Sequence, residues 1–169
     1  MIHQIEAIAE WSGKIVAWFT LAMVLMTCTV VIGRYGFDWG SIALQESVLY
    51  LHAMVFMLGA SYTLKHDEHV RVDIFYRPAS KRRKHWVNLL GVVLLLWPTC
   101  GFIIYSSLDY VSASWAANQG LGEASREAGG LPLVYLLKTL IPISMGLLMV
   151  QGLALVLRSV QGLREGNRD

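Results

Sequence analysis

Charged residues and cysteines are both scarce in this chain of 169 residues. Only 15% of the residues are charged, whereas roughly a quarter are charged in a typical soluble domain. The two cysteines, Cys28 and Cys100, lie inside apolar runs with no CxxC or zinc-ligand spacing, which excludes a disulfide scaffold and a zinc site. A net charge of +2 is too small to indicate nucleic-acid binding, and 55% hydrophobic residues are typical of a membrane protein.

Four apolar runs are long enough to cross a bilayer. A hydrocarbon core about 30 Å thick needs about 20 helical residues at about 1.5 Å each. We therefore predict an all-α integral membrane fold in a single domain, residues 1–169. Its four transmembrane helices are expected at about 15–34, 41–64, 86–108 and 131–157, joined by a charged linker over 65–85 and a loop over 109–130.

The cations are distributed unequally along the chain. Eleven of the 14 Lys and Arg residues lie in the N-terminal segment, the linker 65–85 and the C-terminal tail, whereas the other two connections carry only Arg34 and Arg126. Because positive charge favours the cytoplasmic side, both termini and the linker are expected in the cytoplasm. The loop 109–130 is then expected in the periplasm.

Two local features concern the shape of the helices. Residues 2–12 have an apolar face and a polar face, which fits either a short helix on the membrane surface or the first turns of the following helix. Pro98 and Pro142 lie inside predicted spans and are expected to kink them, since proline removes a backbone hydrogen bond.

Glu46 and Lys138 are the two charges inside predicted spans. Each lies seven residues from the outer start of its helix, at a depth of about 10 Å. Because an unpaired charge at such depth is costly, their matched depth and opposite sign predict an ion pair between the second and fourth helices. The alternative is that Glu46 is a coupling carboxylate of a small exporter.

The histidines and acidic residues provide little evidence for a cofactor. His52 is the only histidine inside a span, so a buried haem with two histidine ligands is excluded by count. We interpret it as a neutral side chain hydrogen-bonded to a neighbouring helix. The cluster His66, Asp67 and His69 is a weak candidate metal site and is better interpreted as a polar linker. No metal or other cofactor is expected in this chain, and no motif indicates an enzyme.

Three stretches of sequence resemble a known family. They are RYGF after the first span, QESVLYLHAMVFMLGASYTLKHDEHVRVD across the second span and the linker, and GEASREAGGLPLVYLLKTLIPISMGLLMVQG in the last loop and helix. The chain resembles the small membrane subunit, DctQ-like, of TRAP (tripartite ATP-independent periplasmic) transporters over roughly residues 15–158. The resemblance implies a multi-pass protein of a bacterial or archaeal cytoplasmic membrane.

The resemblance also implies partners. A separate large permease subunit would form a heterodimer with this chain and move the solute by a sodium-driven elevator motion, and a periplasmic protein would deliver that solute, an organic acid or a related compound. Sodium is expected in the large subunit. The small subunit would brace the fixed scaffold and contact membrane phospholipids. The alternative is a self-sufficient homodimeric exporter that uses Glu46, and a membrane anchor for a redox enzyme is a third reading, disfavoured by the histidine count.

On this basis the candidate site residues form four groups. Glu46 and Lys138 would lock two helices together. His69, Arg71 and Asp73 of the HVRVD motif would organise the cytoplasmic turn. A basic cluster would contact lipid headgroups, and charges on the outer side would be available for docking of the binding protein. The basic cluster is Lys81, Arg82, Arg83 and Lys84, and the docking candidates are Arg34, Asp38, Glu123, Arg126 and Glu127.

Overall fold

The computed structural model describes residues 2–66, 76 and 78–165. Its helices are α1 (Ile2–Phe37), α2 (Ile42–Lys65), α3 (Lys81–Gly91), α4 (Trp97–Gly120) and α5 (Val134–Glu165), with a π-helical segment at Val92–Leu96 between α3 and α4. Helix α3, the π segment and α4 follow one another without a break and form one long span. Four helical stretches are therefore long and apolar enough to cross a membrane, which confirms the predicted all-α fold.

Helix α1 is continuous from Ile2 to Phe37. Of the two alternatives for residues 2–12, the structure shows the second, since these residues are the first turns of the membrane-crossing helix. At about 1.5 Å per residue, its 36 residues reach about 54 Å, well beyond the hydrocarbon core. Glu6 and Glu10, in these first turns, pair with residues of other helices.

The third span is longer than predicted at its outer end. Helix α4 is assigned to Gly120, although regular helical geometry stops before Ala117 and residues Asn118 and Gln119 have positive φ angles. Residues 109–116 of the predicted loop 109–130 therefore continue the helix, and the connection to α5 runs over residues 121–133. Pro132 lies in this connection, ahead of the first turn of α5.

The two prolines inside spans behave differently. Pro98 follows the π-helical segment, in which the backbone N–H of Trp97 donates to the carbonyl of Val92. A π turn is a recognised cause of a local bend and accommodates the hydrogen bond that proline cannot make. Pro142 lies inside α5, which continues through it. The kink predicted at Pro142 stays a prediction.

Helix α5 is the centre of the bundle and contacts each of the other four helices. The buried positions are occupied mainly by small residues, including Ser61, Ser144, Ala154 and Ser159. Large apolar side chains such as Trp18 and Phe102 are instead more than 70% exposed. Small residues permit close helix contact in membranes, where large apolar side chains lose nothing by facing lipid.

The helix directions give the bundle two chemically distinct ends. The linker end contains the start of α1, the end of α2, the start of α3 and the end of α5. The loop end contains the connection 121–133 with the adjoining ends of α4 and α5 and the start of α2. The first residues of α1 and the last residues of α5 thus lie at the same end of the bundle, as four spans require.

Candidate functional site

The loop end contains a polar cluster built around Glu123. The Lys138 ammonium group donates to Glu123 Oε2 in an ion pair, and Ser114 Oγ donates to the same oxygen at 2.7 Å. The Lys138 nitrogen also lies 4.0 Å from the centre of the Tyr110 ring, a cation–π distance. Three elements, α4, the connection 121–133 and α5, are tied together here.

Glu46 has different partners from those predicted. Its carboxylate accepts hydrogen bonds from Ser125 Oγ and, at 2.6 Å, from the backbone N–H of Leu131. The expected Glu46–Lys138 ion pair is therefore corrected, since Lys138 is paired with Glu123 instead. The depth of the two helical positions was a reasonable guide, but the connection 121–133 folds back and presents nearer groups to both charges.

The backbone of this connection explains how it reaches both charges. Asn118 and Gln119 have positive φ angles, and Gly122 has a φ of 88°, a region that favours glycine. A Cβ atom on Gly122 would collide with the ring of Tyr135. The chain then closes on itself, because the Glu123 N–H donates to the Ser114 carbonyl at 2.9 Å and the Val134 N–H donates to the Glu123 carbonyl at 3.1 Å.

The surroundings of Glu123 favour its charged form. The hydrogen bonds from Lys138 and then Ser114 lower the pKa of this carboxyl below its ordinary value, and the opposing effect of desolvation is smaller. Glu123 is thus an anion that fixes the connection to α4 and α5.

The linker end is held together by ion pairs between helices. Arg158 on α5 pairs with Glu6 on α1, and Lys65 at the end of α2 pairs with Glu10. His66 Nε2 lies 3.3 Å from the same Glu10 oxygen. Sequence reasoning missed these contacts. The polar face of residues 3–10 is the sequence feature that could have indicated these contacts.

The remaining predicted site residues are the basic cluster at the start of α3 and the HVRVD motif. Helix α3 begins at Lys81 with Ser80 as its N-cap, whose side chain accepts from the N–H of Arg83. The residues of the HVRVD motif, His69, Arg71 and Asp73, lie outside the described part of the chain, as do Asp67 and His69 of the weak metal cluster. Among the described residues no group of His, Cys, Asp and Glu suits a metal ion. The basic residues Lys81, Arg82 and Arg83 are exposed and Lys84 is half-buried.

The docking candidates divide into two kinds. Arg34 and Asp38, at the turn between α1 and α2, and Arg126 and Glu127, in the connection 121–133, are exposed. Glu123 differs because it is held by Lys138 and Ser114.

His52 is exposed and its ring lies 4.6 Å from that of Phe56, so the expected hydrogen bond to a neighbouring helix is not formed in the described structure.

Comparison with known proteins decides the family. The sequence profile of the tripartite ATP-independent periplasmic transporters, DctQ component, matches residues 23–162. The chain belongs to this DctQ family. It is thus a small subunit of a TRAP transporter rather than an enzyme, and a multi-pass protein of the inner membrane.

One curated relative supports the DctQ assignment. The C4-dicarboxylate TRAP transporter small permease protein DctQ of Vibrio cholerae is 30% identical over 82 residues. That match covers 48% of this chain and 35% of the relative's length. No solved structure matches the chain significantly.

Proposed function

We propose that this DctQ subunit is the fixed scaffold of a sodium-coupled importer. A separate large permease subunit would bind sodium and move the solute, and a periplasmic binding protein would deliver it. The relative in Vibrio cholerae is named for C4-dicarboxylates, so a small organic acid is the class of solute that we propose.

The scaffold role is supported by the partners of the charged residues inside the bundle. Glu46 is held by Ser125 and Leu131 of its own chain, and Lys138 is held by Glu123. Side chains that bind a transported ion or solute must be able to exchange partners, whereas these carboxylates fix one connection to three helices. Charged side chains that are held by their own chain suit a subunit that stays rigid during transport. The exporter that would use Glu46 as its coupling carboxylate is correspondingly disfavoured.

The two ends of the bundle fit an orientation with the linker end in the cytoplasm. Most Lys and Arg residues lie at that end, and positive charge favours the cytoplasmic side. The exposed charges Arg34, Asp38, Arg126 and Glu127 would then face the periplasm, where they would contact the binding protein. Phospholipids would surround the apolar faces, with the basic start of α3 at the headgroup level.

Orientation is tested by labelling single cysteines with a membrane-impermeant maleimide on intact cells. Arg126→Cys is expected to label and Arg82→Cys to label only after the cells are opened, both in a Cys28→Ser background because Cys28 is exposed whereas Cys100 is buried. Labelling of Arg82→Cys on intact cells would contradict the orientation.

Partnership is tested by purifying the affinity-tagged chain in mild detergent. A much larger membrane protein is expected to copurify in equal amount, and Glu123→Lys, which places two cations together at Lys138, is expected to reduce its recovery. Glu127→Lys, an equal change at an exposed position, serves as the matched control. Recovery of the chain only as a homodimer would support the exporter instead.

A further inference from the structure

The linker end contains a cavity between α2, α3 and α5 that is lined by both polar and apolar side chains. Its volume is about 240 Å³, which is several times the roughly 30 Å³ that one water molecule occupies. The cavity lies beside the last turn of α2 and the first turns of α3. The residues that line it are Leu64, Lys65, His85, Asn88, Gln151, Leu155, Arg158 and Ser159.

Two of the lining side chains are buried without a protein partner. Gln151 is 3% exposed and Ser159 is 1% exposed. Gln151 Oε1 and Ser159 Oγ have no hydrogen-bond partner in the described part of the chain. Because buried polar atoms are nearly always hydrogen-bonded, a polar occupant of the cavity is expected.

Three basic residues line the cavity, and two of them are in ion pairs with carboxylates of α1. Lys65, His85 and Arg158 line it, whereas the carboxylates that pair with Lys65 and Arg158 belong to Glu10 and Glu6 on α1 and do not line it. Asn88 uses its carbonyl oxygen to accept from the Tyr76 hydroxyl at 3.3 Å, so its amide nitrogen is the group that can donate to the cavity. The lining therefore offers several donors together with one acceptor, Gln151 Oε1, and suits a ligand that combines anionic oxygens with a hydroxyl group.

We propose that this cavity binds a phosphate group, presented by the headgroup of a membrane phospholipid. Phosphate oxygens accept hydrogen bonds from Lys, Arg, protonated His and hydroxyl groups, and the charged donors form the stronger bonds. The cavity lies where the helix ends meet the charged linker, which is the level at which headgroups are found. The exposed cluster Lys81, Arg82 and Arg83 would attract anionic lipid to this surface without itself forming the site.

The test measures lipid binding to the full-length chain by native mass spectrometry with added phosphatidylglycerol. Gln151→Leu combined with Ser159→Ala removes the two unpartnered polar groups and changes no charge. Because neither Gln151 Oε1 nor Ser159 Oγ has a protein partner, the fold should be retained, which circular dichroism and thermal unfolding check. Binding of the first phosphatidylglycerol is expected to weaken by about tenfold or more, the loss of roughly one good hydrogen bond to a charged group.

Arg82→Gln combined with Arg83→Gln is the matched control, since it removes two exposed charges beside the cavity and leaves the lining intact. The first lipid should bind to this variant with nearly the same affinity as to the unsubstituted chain.

Inorganic phosphate added as a competitor separates the two sources of the ligand. Displacement by millimolar phosphate would identify a free-phosphate site, and displacement only by another phospholipid would identify the headgroup. Equal lipid binding by the Gln151→Leu, Ser159→Ala variant and the unsubstituted chain would overturn the proposal and indicate a cavity filled only with water.

Discussion

At the loop end of the bundle the polar contacts are organised by one connection, whereas at the linker end they join one helix directly to another. Residues 121–133 supply Glu123, Ser125 and the Leu131 N–H, which hold Lys138 and Glu46. At the linker end Glu6 and Glu10 of α1 reach Arg158 and Lys65 on two other helices. At the loop end most of these contacts thus pass through one folded connection, beside the direct contact of Lys138 with Tyr110, whereas at the linker end two separate ion pairs tie the helices.

The largest effect is expected from exchanging the charges of the Glu123–Lys138 pair. Glu123→Lys and Lys138→Glu each place like charges together in a partly buried site and should lower the thermal unfolding temperature of the purified chain. The double exchange should recover about half or more of that loss, because the two residues interact directly. Glu46→Lys combined with Lys138→Glu is the control. Rescue by this second combination, and not by the first, would contradict the pairing described here.

The second-largest effect is expected when Glu46 no longer anchors the connection 121–133. Glu46→Leu removes the acceptor for the Leu131 N–H, so hydrogen exchange at that amide should accelerate by about tenfold or more. Glu127→Leu makes the same chemical change at an exposed position of the same connection and should leave the exchange rate of Leu131 nearly unchanged. Equal acceleration in both variants would indicate that Glu46 does not hold the connection.

A smaller effect is expected where α1 packs closely on α2 near the linker end. A Cβ atom on Gly13 would overlap the Tyr62 ring, so Gly13→Ala should cost about 1–3 kcal/mol in the free energy of unfolding. Gly101→Ala on α4 meets nothing within 4 Å and should be neutral or stabilising, since alanine is favoured over glycine in helices. Thermal unfolding of both variants provides the measurement, and an equal effect would contradict the close packing.

The smallest effect is the dependence of loop-end stability on pH. The pKa of Glu123 in the folded chain lies below its ordinary value of 4.5. Its contribution to stability is therefore complete above about pH 4.5 and is lost as the pH falls through the lowered pKa. Unfolding temperatures measured between about pH 7 and pH 3 should fall less steeply in Glu123→Gln than in the unsubstituted chain. Identical slopes would show that Glu123 has no such role.

Hydrophobicity and charge were sufficient to predict the number of spans, and the position of α2 was predicted almost to the residue. These features depend on local sequence, since an apolar run of sufficient length has no stable alternative to a membrane-crossing helix.

The partners of Glu46 and Lys138 were not predictable in the same way. The positive φ angles of Asn118 and Gln119 turn the chain back toward the bundle, and the sequence alone does not show which charges this reversal brings together. Glu123 was assigned to the surface because it lies in a polar segment. The ion pairs of Glu6 and Glu10 were missed because they join residues far apart in sequence, where one sequence contains no pairing information.

The scaffold role is tested most directly by sodium-driven uptake of a radiolabelled C4-dicarboxylate into proteoliposomes, with the cognate binding protein added outside. Three preparations are compared: this chain alone, the large permease subunit alone, and the two together. Sodium-dependent uptake is expected only when both subunits are present. Sodium-dependent uptake by this chain alone would contradict the scaffold role.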